Sequence, residues 1–182
     1  MALSKIDVAN MLTGATPVAN GGTGATSFTA GITGADTWRV TTNFQGDVSP
    51  IANNWERDDS DDYALIGTGM SQSSGIFSFP ETGYWQVTFY HNFSGAGDNE
   101  YIESKIEYTT DNSSYGGAAK SWGTAPGNGD YNMVTTSCIF DITNVSQDKV
   151  RFVTSSQDGN AYTQCHTGEN LTYATFIRLG DT

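Results

Sequence analysis

The stretch YWQVTFYHNF, from Tyr84 to Phe93, alternates bulky apolar side chains with polar ones. Successive side chains of a β-strand point to opposite faces of the sheet, so Trp85, Val87 and Phe89 share one face. The even-numbered positions between them carry Gln and Thr. This pattern predicts a strand with one buried side, and it places Trp85, Val87 and Phe89 in a hydrophobic core.

Similar runs recur along the chain at short intervals. Groups of Gly, Pro, Asn and Asp separate them and favour turns, while Leu, Lys and Glu, which favour helices, are few. The sequence therefore predicts an all-β fold, a jelly-roll β-sandwich of about seven or eight short strands. The other predicted strands are residues 38–44, 75–79, 101–109, 132–142, 149–154 and 171–179.

The charge balance excludes some classes of partner. The chain has 8 Lys and Arg against 20 Asp and Glu, a formal net charge of −12. Nucleic-acid-binding proteins use Lys and Arg to neutralise phosphates, so no nucleic-acid partner is expected. An anionic membrane surface is equally disfavoured, and no apolar run approaches the roughly 20 residues that span a bilayer. Asp7 and Asn10 interrupt the apolar residues of the N-terminus, so no signal peptide is predicted.

Residues 1–36 differ in composition from residues 37–182. Gly, Ala and Thr fill 19 of the first 36 positions, and Phe28 is the only aromatic residue among them. Such a segment has too little bulky apolar surface to offset the entropy lost on folding. The sequence therefore predicts an extended segment over residues 1–36 and a β-sandwich head over residues 37–182. A Thr-Gly-Ala triplet at positions 13, 23 and 33 indicates a repeated unit of ten residues.

Two interpretations of the first segment are open. It is a flexible linker, or it is an arm that becomes ordered only against itself or a partner. Apolar residues near its beginning favour the arm, namely Leu3, Ile6, Val8, Met11 and Leu12.

The run PVANGGTG, from Pro17 to Gly24, resembles a segment common in bacteriophage tail-fibre and related virion proteins, where it precedes a distal domain. The resemblance implies a phage particle. It also implies that the N-terminal segment attaches the protein to that particle, with Pro17 and Val18 joining the apolar residues between Leu3 and Leu12.

A second resemblance covers the head. The stretch GIFSFPETGYWQVTF, from Gly75 to Phe89, resembles the hallmark of complement-type globular heads and tumour-necrosis-factor-like jelly rolls. Residues 148–152 and 172–179 resemble later strands of that family, although Gln147 stands where Gly is usual and Trp85 where Tyr is usual. The family forms homotrimers around a three-fold axis, so the resemblance implies a trimer.

The acidic run from Glu56 to Asp62 is a candidate cation site. An EF-hand loop beginning at Asp58 would need Gly at its sixth position and Glu at its twelfth, but these are Tyr63 and Gly69. A solvated acidic loop is therefore favoured over a metal site at Asp58–Asp62.

Cys138 and Cys165 are the two cysteines. Cys138 lies within a predicted strand and is expected to be a buried thiol, although a disulfide with Cys165 in a predicted loop is an alternative. Zinc would need about four ligands at recognisable spacing, and the cysteines with His91 and His166 do not provide it. No nucleophile elbow, metalloprotease motif or P-loop is present, so an enzyme is not expected, and no cofactor or metal is predicted.

Residues 115–130 form a predicted loop rich in Gly and Ala that also contains Tyr115 and Trp122. Aromatic residues among small polar ones are typical of binding loops on rigid sandwiches. The alternative is that Trp122 packs into the core or a trimer contact.

Together these features predict a structural protein of a phage virion, made in the host cytoplasm and displayed on the particle surface. Its partners would be two further copies and another virion protein, whether capsid, tail or fibre adaptor. A fibre-type protein that binds a host surface glycan and a capsid decoration protein that reinforces the shell are both open. The fibre motif favours the first, and the length of 182 residues favours the second. A soluble glycan-binding lectin is the third alternative.

Overall fold

The computed structural model describes residues 31–61, 63, 65–97 and 99–182. The predicted arm residues Leu3, Ile6, Val8, Met11, Leu12, Pro17 and Val18 lie outside this part of the chain. Within it the structure is all β, as predicted. The strands are β1 (Gly34–Val40), β2 (Phe44–Gln45), β3 (Trp55–Arg57), β4 (Ser71–Ser73), β5 (Ile76–Ser78), β6 (Gly83–Ser94), β7 (Asn99–Thr109), β8 (Gly116–Ala125), β9 (Tyr131–Ile142), β10 (Lys149–Ser156), β11 (Tyr162–Thr163) and β12 (Tyr173–Gly180).

The strands form two antiparallel sheets. The seven-stranded sheet runs β2-β11-β6-β12-β1-β3, with β9 paired to the other side of β6. The five-stranded sheet runs β4-β5-β10-β7-β8. No helix in the described residues is long and apolar enough to cross a membrane.

Strand β6 is the centre of the larger sheet, and its odd-numbered side chains face the smaller sheet. Trp85, Val87 and Phe89 are all buried, which confirms the predicted core. Phe152 of β10 packs against Phe89 from the opposite sheet, with ring centroids 4.7 Å apart. Phe77 of β5 continues this aromatic core by packing edge-on against Phe152. The two sheets are therefore held together by aromatic side chains that the alternating pattern placed inside.

The first long strand begins earlier than the sequence predicted. Gly34, Ala35 and Asp36, which the sequence analysis placed in the extended segment, belong to β1 and pair with Arg178, Ile177 and Phe176 of β12. Residues Ile32–Thr182 form one compact unit.

The predicted loop over residues 115–130 is wrong for most of its length. Residues Gly116–Ala125 form strand β8, which pairs with β7 so that Trp122 lies opposite Glu103. Gly and Ala have weak β-propensity and no apolar alternation, so the sequence carried little sign of this strand. Its pairing with β7 supplies the order that its composition does not.

Candidate functional site

The outward side chains of β6, β9 and β12 form one surface, here called the outer face. Eleven large hydrophobic side chains are exposed in the described residues. Six of them lie on this face or on the adjoining strand β11. Tyr131 is 73% exposed and Ile139 is 59% exposed. By the strand register, Tyr131, Met133 and Tyr162 lie at one end of the face, and Tyr84, Ile139 and Leu179 lie at the other. The six are Tyr84, Tyr131, Met133, Ile139, Tyr162 and Leu179.

The centre of the outer face is aromatic as well. Tyr90 of β6 lies directly opposite Tyr173 of β12, and the two rings stack with centroids 4.3 Å apart and planes 9° apart. Burial raises the pKa of the Tyr173 phenol, and the neighbouring Tyr90 adds to the effect. Both rings are half-buried, so they present a flat, weakly polar platform to the outside.

Charge is nearly absent from the outer face. Asp141 is the only charged residue among the outward positions of β6, β9 and β12. The five-stranded sheet differs sharply, because its outward positions carry an alternating ladder of charges. The protein therefore has one sheet face suited to water and one suited to a partner surface.

Strand β9 lies at the margin of the larger sheet. It is 12 residues long and has a single ladder partner, β6. On its other side two side-chain bonds join it to β8. Ser121 Oγ donates to the Thr135 carbonyl at 2.8 Å, and Asn132 Nδ2 donates to the Thr124 carbonyl at 3.0 Å. Long edge strands with exposed apolar side chains promote association unless they are covered.

The acidic run does not form the solvated loop that the sequence predicted, because its first members surround a buried arginine. Arg39 of β1 is 1% exposed, and its guanidinium donates to Asp58 Oδ1 at 2.8 Å, to Glu56 Oε1 at 3.0 Å and to Asp59. Burial alone would lower the pKa of Arg39, but the bond and charge of Glu56, with the charge of Asp58, outweigh it and raise that pKa.

Asp58 itself is buried. Burial opposes its ionisation, but hydrogen bonds from Ser60 and Asn170 outweigh this and lower the pKa of its carboxyl group. Asp59, Ser60 and Asp61 remain exposed, and Asp62 lies outside the described residues. No group of three or more His, Cys, Asp or Glu in the described part of the chain is arranged to hold a metal ion.

A second buried carboxylate belongs to Asp36, for which the sequence pattern gives no sign of burial. It accepts hydrogen bonds from Trp38 Nε1 at 2.9 Å, from the Met70 amide at 2.7 Å and from the Tyr63 hydroxyl. Arg57 Nε lies 3.2 Å from it. The carboxylate thus ties the segment between β3 and β4 to β1. A cavity of about 380 Å³ lies beside it, lined by Asp36, Asp58, Ser60, Tyr63 and Asn170 among others.

The structure does not bring the two predicted binding residues together. Tyr115 precedes β8 and is half-buried, with the Arg151 guanidinium carbon 4.1 Å from its ring centroid. Trp122 lies seven residues further on and is 58% exposed. At about 3.3 Å per residue, the two are about 20 Å apart along the strand.

A ladder of ion pairs crosses the outward side of the five-stranded sheet. Lys120 Nζ lies 3.2 Å from Glu103, Lys105 lies between Glu103 and Glu107, and Arg151 pairs with Glu107 at 2.7 Å. The ladder links long side chains of β7, β8 and β10 across the sheet.

The cysteines and histidines are separate from these surfaces. Both thiols are free, so the disulfide alternative is not realised, and burial raises the pKa of Cys165 to about 12. Cys138 is half-buried rather than buried. His91 lies in β6, within the predicted strand Tyr84–Phe93, and His166 lies in a loop. His91 is buried between Phe89 and Phe93, and its Nε2 lies 3.0 Å from Thr163 Oγ1.

Comparison with known proteins identifies the fold. No protein-family model matches the sequence, and no curated protein matches it. The structure of Eiger TNF from S. frugiperda is similar to this chain, with a TM-score of 0.63, 11% identity, and coverage of 81% of this chain and 93% of that chain. Murine APRIL at pH 5.0 is similar with a TM-score of 0.60, 11% identity, and coverage of 80% and 98%. The chain therefore has the tumour-necrosis-factor-like jelly-roll fold, which confirms the predicted fold class.

Proposed function

We propose that this chain is a surface protein of a bacteriophage particle, that it assembles as a homotrimer through the outer face, and that the residues ahead of β1 attach it to the particle. The observation that carries the assembly is the near absence of charge on the outer face of a chain whose net charge is −12. The outward positions of β6, β9 and β12 carry one charged residue, Asp141, whereas the outward positions of the five-stranded sheet carry several.

The size of the outer face fits such an interface. Strands β6 and β9 are 12 residues long, which corresponds to about 40 Å, and three strands span about 15 Å. The resulting area of about 600 Å² is comparable to the roughly 800 Å² that each partner buries in a stable complex.

The family resemblance supports a closed three-fold arrangement. Closure around an axis covers every copy of the same surface, whereas an open arrangement would leave apolar surface exposed at its ends. Three chains together carry a formal charge of about −36, three times −12, so the assembly is expected to be more stable at moderate salt than at low salt.

The particle role rests on the sequence between Pro17 and Gly24, which resembles phage fibre proteins. An arm with so little apolar surface gains order most readily from a partner. This motif favours a fibre-type surface protein.

Light scattering coupled to size exclusion tests the assembly, and a mass of about three times 19.5 kDa is expected. Labelled antibody and electron microscopy of particles test the location. A monomer at micromolar concentration contradicts the trimer, and particles that lack the protein contradict the virion role.

A further inference from the structure

We infer that Trp122 and Tyr101, on the outward side of the five-stranded sheet, form a binding site for neutral carbohydrate. This goes beyond the proposed structural role and gives the surface protein a ligand class. The site lies within one protomer, so its existence does not depend on the trimer.

The two aromatic residues are neighbours across the pair β7–β8. Trp122 lies opposite Glu103. Tyr101 is exposed while Ile102 is buried, so Tyr101 and Glu103 point to the same side. Tyr101 is therefore the diagonal neighbour of Trp122, within reach of large side chains. Trp122 is 58% exposed and Tyr101 is 44% exposed, so solvent reaches both rings, although the Lys120 ammonium lies over one face of the Trp122 ring.

Polar groups flank the rings at fixed positions. Lys120 Nζ lies 5.1 Å from the Trp122 ring centroid and 3.2 Å from Glu103 Oε2. The indole N–H of Trp122 has no hydrogen-bond acceptor within the described residues. The site thus offers an ammonium donor, an indole donor and a carboxylate acceptor beside an aromatic surface.

This combination matches the chemistry of a neutral sugar. The C–H face of a pyranose ring packs against the electron-rich face of an aromatic ring. Sugar hydroxyls both donate and accept, so they satisfy the ammonium and the carboxylate together. A polyanionic ligand is disfavoured because the chain carries a charge of −12.

Tyr115 does not belong to this site. Its ring lies under Arg151, about 20 Å along the strand from Trp122. It therefore provides an aromatic control outside the site, in the residue just before β8.

The strands also hold the site rigid. The ion pairs among Lys120, Glu103 and Lys105 restrain the side chains around the rings before any ligand arrives. A pre-formed site loses less conformational entropy on binding than a mobile loop would. In the proposed trimer three such sites would act together on a glycan-coated surface, which raises the overall avidity.

The experiment uses the full chain on an array of immobilised neutral oligosaccharides built from hexoses and N-acetylhexosamines, with sulfated and sialylated glycans on the same array. The variants are Trp122→Ala, Tyr101→Ala, Trp122→Phe and the control Tyr115→Phe. We expect the unsubstituted protein to bind a defined set of neutral glycans. Trp122→Ala and Tyr101→Ala should each lose at least tenfold in binding, and Trp122→Phe should retain part of the binding. Tyr115→Phe should bind like the unsubstituted protein.

Circular dichroism and light scattering on the same preparations separate this inference from the assembly. The carbohydrate site is overturned if no neutral glycan binds above background, if only anionic glycans bind, or if Trp122→Ala and Tyr101→Ala bind normally. A monomeric preparation that still binds neutral glycans through Trp122 would contradict the trimer and leave the site standing.

Discussion

The ring centroids of Phe89 and Phe152 lie 4.7 Å apart. This contact packs the middle of the seven-stranded sheet against the middle of the five-stranded sheet. Both side chains are fully buried. This contact places the alternating pattern of β6 at the centre of the sandwich, and it makes Phe89 a probe of the whole core.

Phe89→Ala and Trp85→Ala are expected to destabilise the protein by about 3–5 kcal/mol each, through lost burial and the cavity left behind. Denaturant unfolding followed by circular dichroism measures the change. Trp122→Ala removes a largely exposed ring and should shift the free energy of unfolding by less than about 1 kcal/mol. Equal shifts for Trp85→Ala and Trp122→Ala would contradict this placement of the core.

His91 makes stability depend on pH. Burial lowers the pKa of its ring to about 3, below the unfolded value of about 6.5. Between these values the unfolded chain binds a proton that the folded chain does not, so stability falls as the pH drops below 6.5, by up to about 1.4 kcal/mol per pH unit.

The measurement is the free energy of unfolding between pH 7 and pH 5, a window above the range in which Asp58 titrates. The variant His91→Gln should lose most of the slope, whereas His166→Gln, at an exposed loop position, should keep it. Parallel profiles for the unsubstituted protein and His91→Gln would show that another group is responsible.

Arg39 and the carboxylates around it form a network that stabilises the segment after β3. Arg39→Met would leave the buried Asp58 without its cation, and the expected loss is about 3 kcal/mol near neutral pH. The loss should shrink at pH 4.5, because an unpaired Asp58 takes up a proton more readily. Lys120→Met removes an exposed partner and should cost at most about 1 kcal/mol. A loss for Arg39→Met that does not vary with pH would contradict the network.

The difference between β6 and β8 shows what the sequence could predict. Trp85, Val87 and Phe89 alternate with polar residues, so their strand and its buried face follow from local pattern. β8 begins with Gly116 and Gly117, and its order comes from antiparallel pairing with the preceding strand β7, which the Gly- and Ala-rich composition of β8 does not predict.

The buried polar clusters around Arg39 and Asp36 could not be predicted from the sequence for a related reason. Arg39 looks like an ordinary charged residue of a strand, and its burial depends on carboxylates 17 to 20 residues away. The Gly and Ala residues just before Asp36 predict an extended arm rather than a strand. The alternation of Asp36, Trp38 and Val40 does fit a strand that includes Asp36. It does not predict that the partners of Asp36 come from the segment after β3.

A single substitution on the outer face should disrupt the proposed trimer. Ile139→Glu places a carboxylate on an exposed position of β9, where a partner would have to bury it without a counter-ion. The expected result is loss of the trimer mass in light scattering, with β-rich circular dichroism unchanged. Thr124→Glu on β8 is the control and should leave the mass unchanged. A trimer that tolerates Ile139→Glu would show that β9 lies outside the interface.

The last prediction concerns the residues ahead of β1. Asp36 accepts hydrogen bonds from the Met70 amide and from Trp38 Nε1. A deletion that ends before Gly34 should therefore leave the stability of the head unchanged, whereas one that removes Asp36 should lower it. Deleting residues 1–30 should leave cooperative unfolding intact and abolish incorporation into particles. Deleting residues 1–36 should also lower the denaturant midpoint, because Arg57 and Tyr63 lose their buried partner. A chain without residues 1–30 that still loads onto particles would move the attachment surface to the head, whereas one that unfolds without cooperativity would make those residues part of the fold.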